Sequence, residues 1–303
     1  MKIAYLIPAH QDPAHLARLI TRLSSPTSSF MIHVDAKSDI DRFTHLRGPD
    51  VAFTHERVEV WWGDYSQVEA TLTLIRAALA DPRHVDRLVL ISGADYPLRS
   101  TAYIERFFEQ RPDSEFMNLV EMPNDAAGKP LSRLTTYQPG PGRSPVGRRF
   151  HRVVLAVGRR VHRRNYEAAL HRMTPYGGST WWALSRGACE LIISFVDGNE
   201  DYGAFFRHAI CPDETFFQTI IGNSLLGPNV RRNVTYVDWS AGGQNPSAFT
   251  EAHVERFRKV DALHVSDVYG SGELLFARKF TDGDTTIVDA IDRMIVEQAR
   301  SNS

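Results

Sequence analysis

Short apolar runs alternate along this chain with longer stretches in which apolar residues recur every three or four positions. The runs at residues 2–7, 30–34 and 87–91 are typical of strands buried on both faces of a sheet. After the first run, Asp12 and Pro13 favour the start of a helix. Apolar residues at helical spacing follow at Leu16, Leu19, Ile20 and Leu23. A strand, a helix and a second strand within the first 35 residues predict a βαβ unit, and therefore a mostly parallel sheet.

The same alternation continues to the end of the chain. Further strands are predicted at residues 51–53, 114–120, 177–184, 234–239 and 274–280, and further helices from Ser66, from Ser100, at 186–197 and at 287–296. This order predicts one α/β domain over residues 1–303, in which helices flank a mostly parallel central sheet.

The segment at residues 211–221 combines a helix start with two acid side chains. Pro212 suits the first position of a helix, and Asp213 and Glu214 would lie in its first turn, where the helix dipole favours negative charge. The apolar residues that follow at helical spacing are Phe216, Phe217, Ile220 and Ile221. One interpretation is a general base on a rigid element, and the other is simple capping of the helix. These eleven residues alone favour capping.

Composition narrows the classes of function. The chain has 43% hydrophobic and 23% charged residues and a formal net charge of -1, which argues against whole-protein attraction to nucleic acid. Cys189 and Cys211 are its only cysteines, too few for a disulfide framework or a cysteine-rich zinc site. No stretch approaches the length of a membrane span. We therefore expect a cytoplasmic protein.

Five segments together resemble a known enzyme family. They are residues 33–38, 90–98, 178–185, the Pro-Asp-Glu element at 212–214, and the Phe-Ala-Arg-Lys-Phe element at 276–280. In this order they resemble the core-2/I-branching N-acetylglucosaminyltransferase and peptide O-xylosyltransferase family, glycosyltransferase family 14. The resemblance implies a GT-A-like fold with a nucleotide-binding half at residues 1–120 and an acceptor and catalytic half at residues 121–303.

The resemblance also implies a reaction. It is an inverting transfer of N-acetylglucosamine or xylose from a UDP-sugar to a hydroxyl of a glycan or protein. Glu214 would be the general base, and Lys279, by its place in the motif, would meet the β-phosphate. A second basic residue normally assists it; Arg256, Arg258 and Arg278 are candidates, and Arg256 is our choice.

Further donor-binding residues are expected where parallel strands end. Pro8, His10 and Asp35 follow the first two strands, so they would lie at the edge where ligands bind in such sheets; the alternative is loop capping. Trp62 is placed near the nucleotide by the resemblance, although paired tryptophans are usually core residues. The last expected residue, Asp95, follows the strand at 87–91.

No metal or other cofactor is expected. Many GT-A enzymes carry Asp-x-Asp at the position of Asp95, where two carboxylates chelate Mn²⁺, but here Gly93 replaces the first aspartate. The chain's two Asp-x-Asp sequences, at 39–41 and 282–284, are predicted to be capping residues. Members of the resembled family are likewise regarded as metal-independent.

Tryptophans are the candidates for acceptor binding. Trp181 or Trp182 would stack on a sugar while the other packs inward, because strand side chains alternate. Trp181 and, by resemblance, Trp239 are our choices.

The segment from Arg143 to Arg164 contains eight arginines interleaved with valines and a leucine. One interpretation is a basic amphipathic helix that contacts anionic lipid at the inner membrane. The other is a solvated face of an ordinary surface helix.

Two other classes of function remain open. A nucleotidyltransferase would need a glycine-rich, arginine-bearing loop after the first strand, and residues 8–12 do not provide one. A glycan-binding module without catalysis would tolerate loss of Glu214 and Lys279.

Overall fold

A central sheet of seven strands organises the residues that the computed structural model describes, which are 1–139, 164–240, 242 and 246–301. Its strand order is β10-β6-β9-β4-β1-β2-β3. Only β9 runs against its neighbours, so four of the six pairings are parallel. The strands of this sheet are β1 (Ile3–Ala9), β2 (Ser28–Val34), β3 (Val51–Phe53), β4 (Arg87–Leu90), β6 (Glu115–Met117), β9 (Trp182–Ser185) and β10 (Val230–Arg231). The predicted mostly parallel α/β sheet is confirmed.

Three small sheets lie beside the central one. The strands β11 (Thr235–Val237), β14 (Phe276–Arg278) and β5 (Asp95–Pro97) form one of them. A hairpin of β12 (His264–Asp267) and β13 (Gly270–Glu273) forms the second, and β7 (Val120–Glu121) with β8 (Tyr176–Gly177) forms the third. The hairpin is fixed at its base, because the buried Glu273 carboxylate accepts hydrogen bonds from Arg99 and Tyr103.

Helices cover both faces of the central sheet. They are α1 (Pro13–Leu23), α2 (Ser66–Leu79), α3 (Thr101–Glu109), α4 (Ser132–Thr135), α5 (Tyr166–Ala169), α6 (Arg186–Gly198), α7 (Glu200–Phe206), α8 (Phe216–Gly222), α9 (Glu251–Phe257) and α10 (Thr285–Ser301). Alternate side chains of β1 enter two separate cores: Tyr5 packs with α1, α3 and α10, whereas Leu6 packs with α2, α6 and α8. A sheet buried on both faces explains why its strands read as continuous apolar runs.

Two predicted strands are each divided in the structure. Residues 114–120 form β6 and β7, and residues 177–184 form the end of β8 and most of β9. The reason lies at Gly178, where an added Cβ would stand 1.7 Å from the carbonyl oxygen of Asn118. Two backbones that approach so closely cannot continue the regular spacing of a sheet.

Residues 140–163 lie outside the described residues, and they include all of the basic segment except Arg164. The predicted lipid contact of this segment therefore stays a prediction. No helix in the described ranges combines the length and the apolar character needed to cross a membrane.

Candidate active site

A cavity of about 1120 Å³ opens at the carboxyl ends of β1, β2 and β4. Its wall also includes the residues before β9, the turn before α8, the hairpin β12–β13 and the end of β14. Sites for a single small ligand usually measure about 300–1,000 Å³. The cavity therefore exceeds the volume that a single small ligand usually occupies.

The ends of β1 and β2 form one wall of this cavity, as the sequence predicts. Pro8, His10 and Asp35 line it. The Asp35 carboxylate accepts the backbone N–H of Lys37 at 2.9 Å and pairs with the Lys37 ammonium at 3.0 Å. Asp35 therefore caps its loop and faces the cavity at the same time. Burial, and then the charge of Lys279, lower the pKa of His10, which keeps its imidazole neutral near pH 7.

Trp62 stands at the rim of the cavity with 69% of its surface exposed. It belongs to a turn that Gln67 fastens, because the Gly63 N–H donates to the Gln67 carboxamide oxygen at 2.6 Å. Trp61 is partly buried, with the Lys37 ammonium 4.3 Å from its ring centre. Trp62 is therefore not a core residue.

The acid segment differs from its predicted form. Pro212–Glu214 is a separate 3₁₀ turn, here called the acid turn, and α8 begins only at Phe216. Cys211 enters the acid turn in the left-handed region (φ 47°), and Thr215 leaves it at φ -139°. The conformation of Thr215 breaks the continuous helix that the sequence predicts. Asp213 and Glu214 consequently lie in the loop before α8 and not in its first turn.

Glu214 lines the cavity and is fixed from two sides. Its backbone carbonyl accepts the N–H of Gly178 at 2.8 Å. Its carboxylate oxygen Oε2 pairs with the ammonium of Lys129 and with the guanidinium of Arg133, the latter at 2.6 Å. Both cations line the cavity. The sequence did not indicate Lys129 and Arg133, because residues 122–174 show no periodic pattern that would place them.

Asp213 is the more deeply buried of the two acid side chains, with 4% of its surface exposed. Its Oδ2 accepts hydrogen bonds from the Thr180 hydroxyl at 2.6 Å and the Gln67 amide at 3.2 Å. Its Oδ1 has no hydrogen-bond partner among the described residues. Burial, and then the charge of Glu214, raise the pKa of Asp213 to about 6.

Lys279 lies in the same cavity as Glu214. Within the described ranges, no carboxylate lies within 4.0 Å of its ammonium. The adjacent Arg278 also lines the cavity, with its guanidinium 4.2 Å from the ring centre of Trp181 and 3.7 Å from the Asp95 carboxylate. The site therefore offers two neighbouring cations, of which Lys279 is free to meet an anion.

The donor-binding roles predicted for Arg256 and Asp95 do not fit their positions. Arg256 is exposed on α9, where its guanidinium lies over the rings of Tyr236 and Phe257, away from the cavity wall. Arg278, one of the alternatives that the sequence offered, does line the cavity. Asp95 is fully buried and accepts the backbone N–H of Ser92 at 3.0 Å, so it fastens a loop below the cavity.

Trp181 and Trp239 lie where an acceptor could meet them. Trp181 lines the cavity while Trp182 is 1% exposed in the core, as the predicted alternation requires. Trp239 is half exposed at the rim.

The turn of the hairpin β12–β13 also lines the cavity, a feature that the sequence did not indicate. Two nitrogens of Arg232 donate to the Asp267 carboxylate at 2.8 and 3.1 Å, which holds this turn in place. Burial, and then the charge of Glu214, raise the pKa of Tyr269 to about 12. The phenol of Tyr269 is therefore neutral near pH 7, and it lines the same cavity as Glu214.

No group of three or more His, Cys, Asp or Glu side chains in the described part of the chain is arranged to hold a metal ion. In the first Asp-x-Asp sequence, Asp39 accepts the backbone N–H of Asp41 at 3.0 Å, which confirms its capping role. In the second, Asp284 accepts the N–H of Thr281 at 2.7 Å, immediately before α10.

These features define an α/β protein with a large cavity, lined by charged and aromatic side chains, at the carboxyl edge of a mostly parallel sheet. A sequence model described as Core-2/I-Branching enzyme matches residues 3–261. The chain belongs to this family.

Curated relatives are named as xylosyltransferases. Human xylosyltransferase 2 is 26% identical over 251 residues, which cover 79% of this chain and 27% of the human protein. A xylosyltransferase of Ciona intestinalis is 22% identical and covers 96% of this chain and 34% of its own length. The chain thus spans about a third or less of these relatives. A solved structure of 4-diphosphocytidyl-2C-methyl-D-erythritol synthase aligns at a TM-score of 0.32 and 12% identity, over 67% of this chain and 84% of that one, too low to support an argument.

Proposed function

We propose that this protein is an inverting glycosyltransferase that moves a sugar from a UDP-sugar to a hydroxyl group of a glycan or protein. The observation that supports it most is the shared cavity of Glu214 and Lys279. A base and a cation in one cavity are what a displacement with an anionic leaving group requires.

In the proposed reaction, Glu214 takes the proton of the acceptor hydroxyl. The oxygen then attacks the anomeric carbon from the face opposite UDP, and the bond to the diphosphate breaks. The acid turn suits this step, because Gly178 fixes its backbone and only one carboxylate oxygen is engaged by Lys129 and Arg133. The other oxygen is left to meet the acceptor.

The departing diphosphate gains negative charge as the bond breaks. Lys279 and Arg278 are positioned to offset it, since both line the cavity and Lys279 has no carboxylate partner among the described residues. Preorganised cations at a developing charge are among the largest contributions to catalysis. We propose that they replace a metal ion in this role.

The donor sugar is proposed to be xylose, with N-acetylglucosamine as the alternative. The named function of the relatives favours xylose. The family description, Core-2/I-Branching enzyme, keeps the alternative open.

Glu214→Gln tests the general base. The amide keeps the size of the side chain and an oxygen for Lys129 and Arg133, but it takes up no proton. We expect kcat to fall by about 10²–10⁴-fold while the affinity for UDP changes little. Initial rates of UDP release and calorimetric titration with UDP measure the two quantities.

A matched control is Glu190→Gln, which removes an exposed carboxylate paired with Arg186 on α6. It should leave both quantities unchanged. Full activity in Glu214→Gln would exclude Glu214 as the base.

A further inference from the structure

The two cations at Glu214 create a difficulty for a general base. Lys129 and Arg133 both bind Oε2, and positive charge at this distance favours the ionised carboxylate. The same attraction opposes the uptake of a proton, which would neutralise Glu214. A base held in this way needs a nearby negative charge that offsets the cations.

Asp213 is the buried carboxylate that lies next to it along the chain. The acid turn directs it into the cavity wall, where Thr180 and Gln67 hold one oxygen and the other has no partner among the described residues. These two partners belong to different walls, the segment before β9 and helix α2. A carboxylate held in low-dielectric surroundings acts strongly on its neighbours.

We propose that Asp213 is a positioning residue whose negative charge offsets Lys129 and Arg133, so that Glu214 can accept the proton of the acceptor. The inference rests on the proposed function. It assigns Asp213 no contact with substrate. Protonation of Asp213 removes the offset, and Glu214 becomes a poorer proton acceptor.

The other groups around the acid turn do not replace this charge. Burial raises the pKa of Cys211 to about 11 and that of Tyr269 to about 12, so both are neutral at the pH of an assay. Burial lowers the pKa of Lys129, but Glu214 favours its charged form. The charged groups that act on Asp213 are thus Glu214, Lys129 and Arg133. Thr180 and Gln67 contribute hydrogen bonds from neutral groups.

The pH profile of kcat tests the proposal. Because the pKa of Asp213 is about 6, wild-type activity should rise with pH through an acidic limb near that value. In Asp213→Asn this limb should disappear, and kcat at pH 8 should fall by roughly tenfold, the equivalent of about one pKa unit. The variant and the wild type should converge near pH 5.

Thr180→Val provides a second variant that keeps the charge. Valine cannot donate the 2.6 Å hydrogen bond that the Thr180 hydroxyl makes to the ionised Asp213 carboxylate, so the pKa of Asp213 should rise. The acidic limb of kcat should therefore move to higher pH, while kcat on the high-pH plateau should stay near the wild-type value. A merely structural residue would lower kcat equally at every pH. An unmoved limb in both variants therefore overturns the proposal.

Thermal unfolding shows whether the variants are folded. Ionisation of Asp213 costs stability above about pH 6, since its folded-state pKa lies above the ordinary value of 3.8. Asp213→Asn should therefore melt no lower than the wild type at pH 8. If Asp213→Asn does not fold, the pH profile of kcat in Thr180→Val tests the proposal alone. An acidic limb at the same pH as in the wild type then overturns the proposal.

Glu214→Gln separates this inference from the proposed function. If Glu214→Gln is inactive at every pH and Asp213→Asn keeps the wild-type profile, only the role of Asp213 fails. If Glu214→Gln is active and Asp213→Asn is not, Asp213 is itself the base, and both assignments are overturned.

Discussion

Single residues decide how the acid turn reaches the cavity, and Gly178 is the most constrained of them. Its N–H binds the carbonyl of Glu214, and its missing side chain admits the carbonyl of Asn118. Glycines at the entry to a strand can permit the close approach of a ligand. The structure shows that the approaching group is the protein's own backbone.

Gly178→Ala should therefore destabilise the protein and displace Glu214. A Cβ at 1.7 Å from a carbonyl oxygen forces one of the two backbones to move, at a cost of about 3 kcal/mol or more. Denaturant unfolding measures the loss of stability. The control, Gly48→Ala, adds a Cβ that meets nothing within 4 Å and should be close to neutral. Equal stability of the two variants would contradict this account.

For single residues, the sequence predicted the positions of those that belong to a local pattern. The alternation that separates Trp181 from Trp182, and the strand ends that carry Pro8 and Asp35, are properties of short segments. The partners of Glu214 are not such a property. Lys129 lies 85 residues from Glu214, and no spacing along the chain encodes that contact.

Among the elements, the hairpin β12–β13 was the one whose role the sequence did not reveal. The turn of the hairpin lines the cavity. Because only short strands pair within the hairpin, side chains outside it must help to fix its position. Arg232, which follows β10, does this through Asp267. The hairpin therefore contributes Tyr269 to the wall of the cavity that also contains Glu214.

Arg232→Gln should loosen this turn and weaken acceptor binding. Because Tyr269 and Glu214 line the same cavity, we expect the KM for the acceptor to rise by roughly 3- to 10-fold, the loss of about 1 kcal/mol from a partly buried ion pair. The KM for the donor should change less. Arg231→Gln is the matched control, because Arg231 is exposed and, among the residues that the structure describes, its guanidinium binds backbone carbonyls near β10 and no side chain. A larger effect on the donor would place the hairpin at the nucleotide.

At the scale of the whole molecule, the cavity joins distant parts of the chain. The strand β14 pairs with β5 in the register Arg278 to Asp95, and this pairing carries Lys279 to the edge where β1 and β2 end. The sequence predicted β1, β2 and the strand region that contains β14, because each lies in a short apolar run, but it did not predict β5. The sequence could not predict the order of the strands in the sheets. The pairing of β14 with β5 joins residues about 180 positions apart, and it depends on packing that no local pattern encodes. The division of the chain into a nucleotide-binding half at residues 1–120 and an acceptor and catalytic half at residues 121–303 stays a prediction.

This arrangement predicts that UDP stabilises the protein without a metal. In the proposed function, Lys279 and Arg278 supply the positive charge that a metal would otherwise supply, so saturating UDP should raise the melting temperature by a few °C, for a gain of about 2–3 kcal/mol at 100 times Kd. Excess EDTA should not change the shift. Lys279→Ala should abolish most of it, whereas Arg256→Ala, which removes an exposed cation outside the cavity, should retain it. A shift that requires Mn²⁺, or one that survives in Lys279→Ala, would show that the diphosphate is bound by other groups.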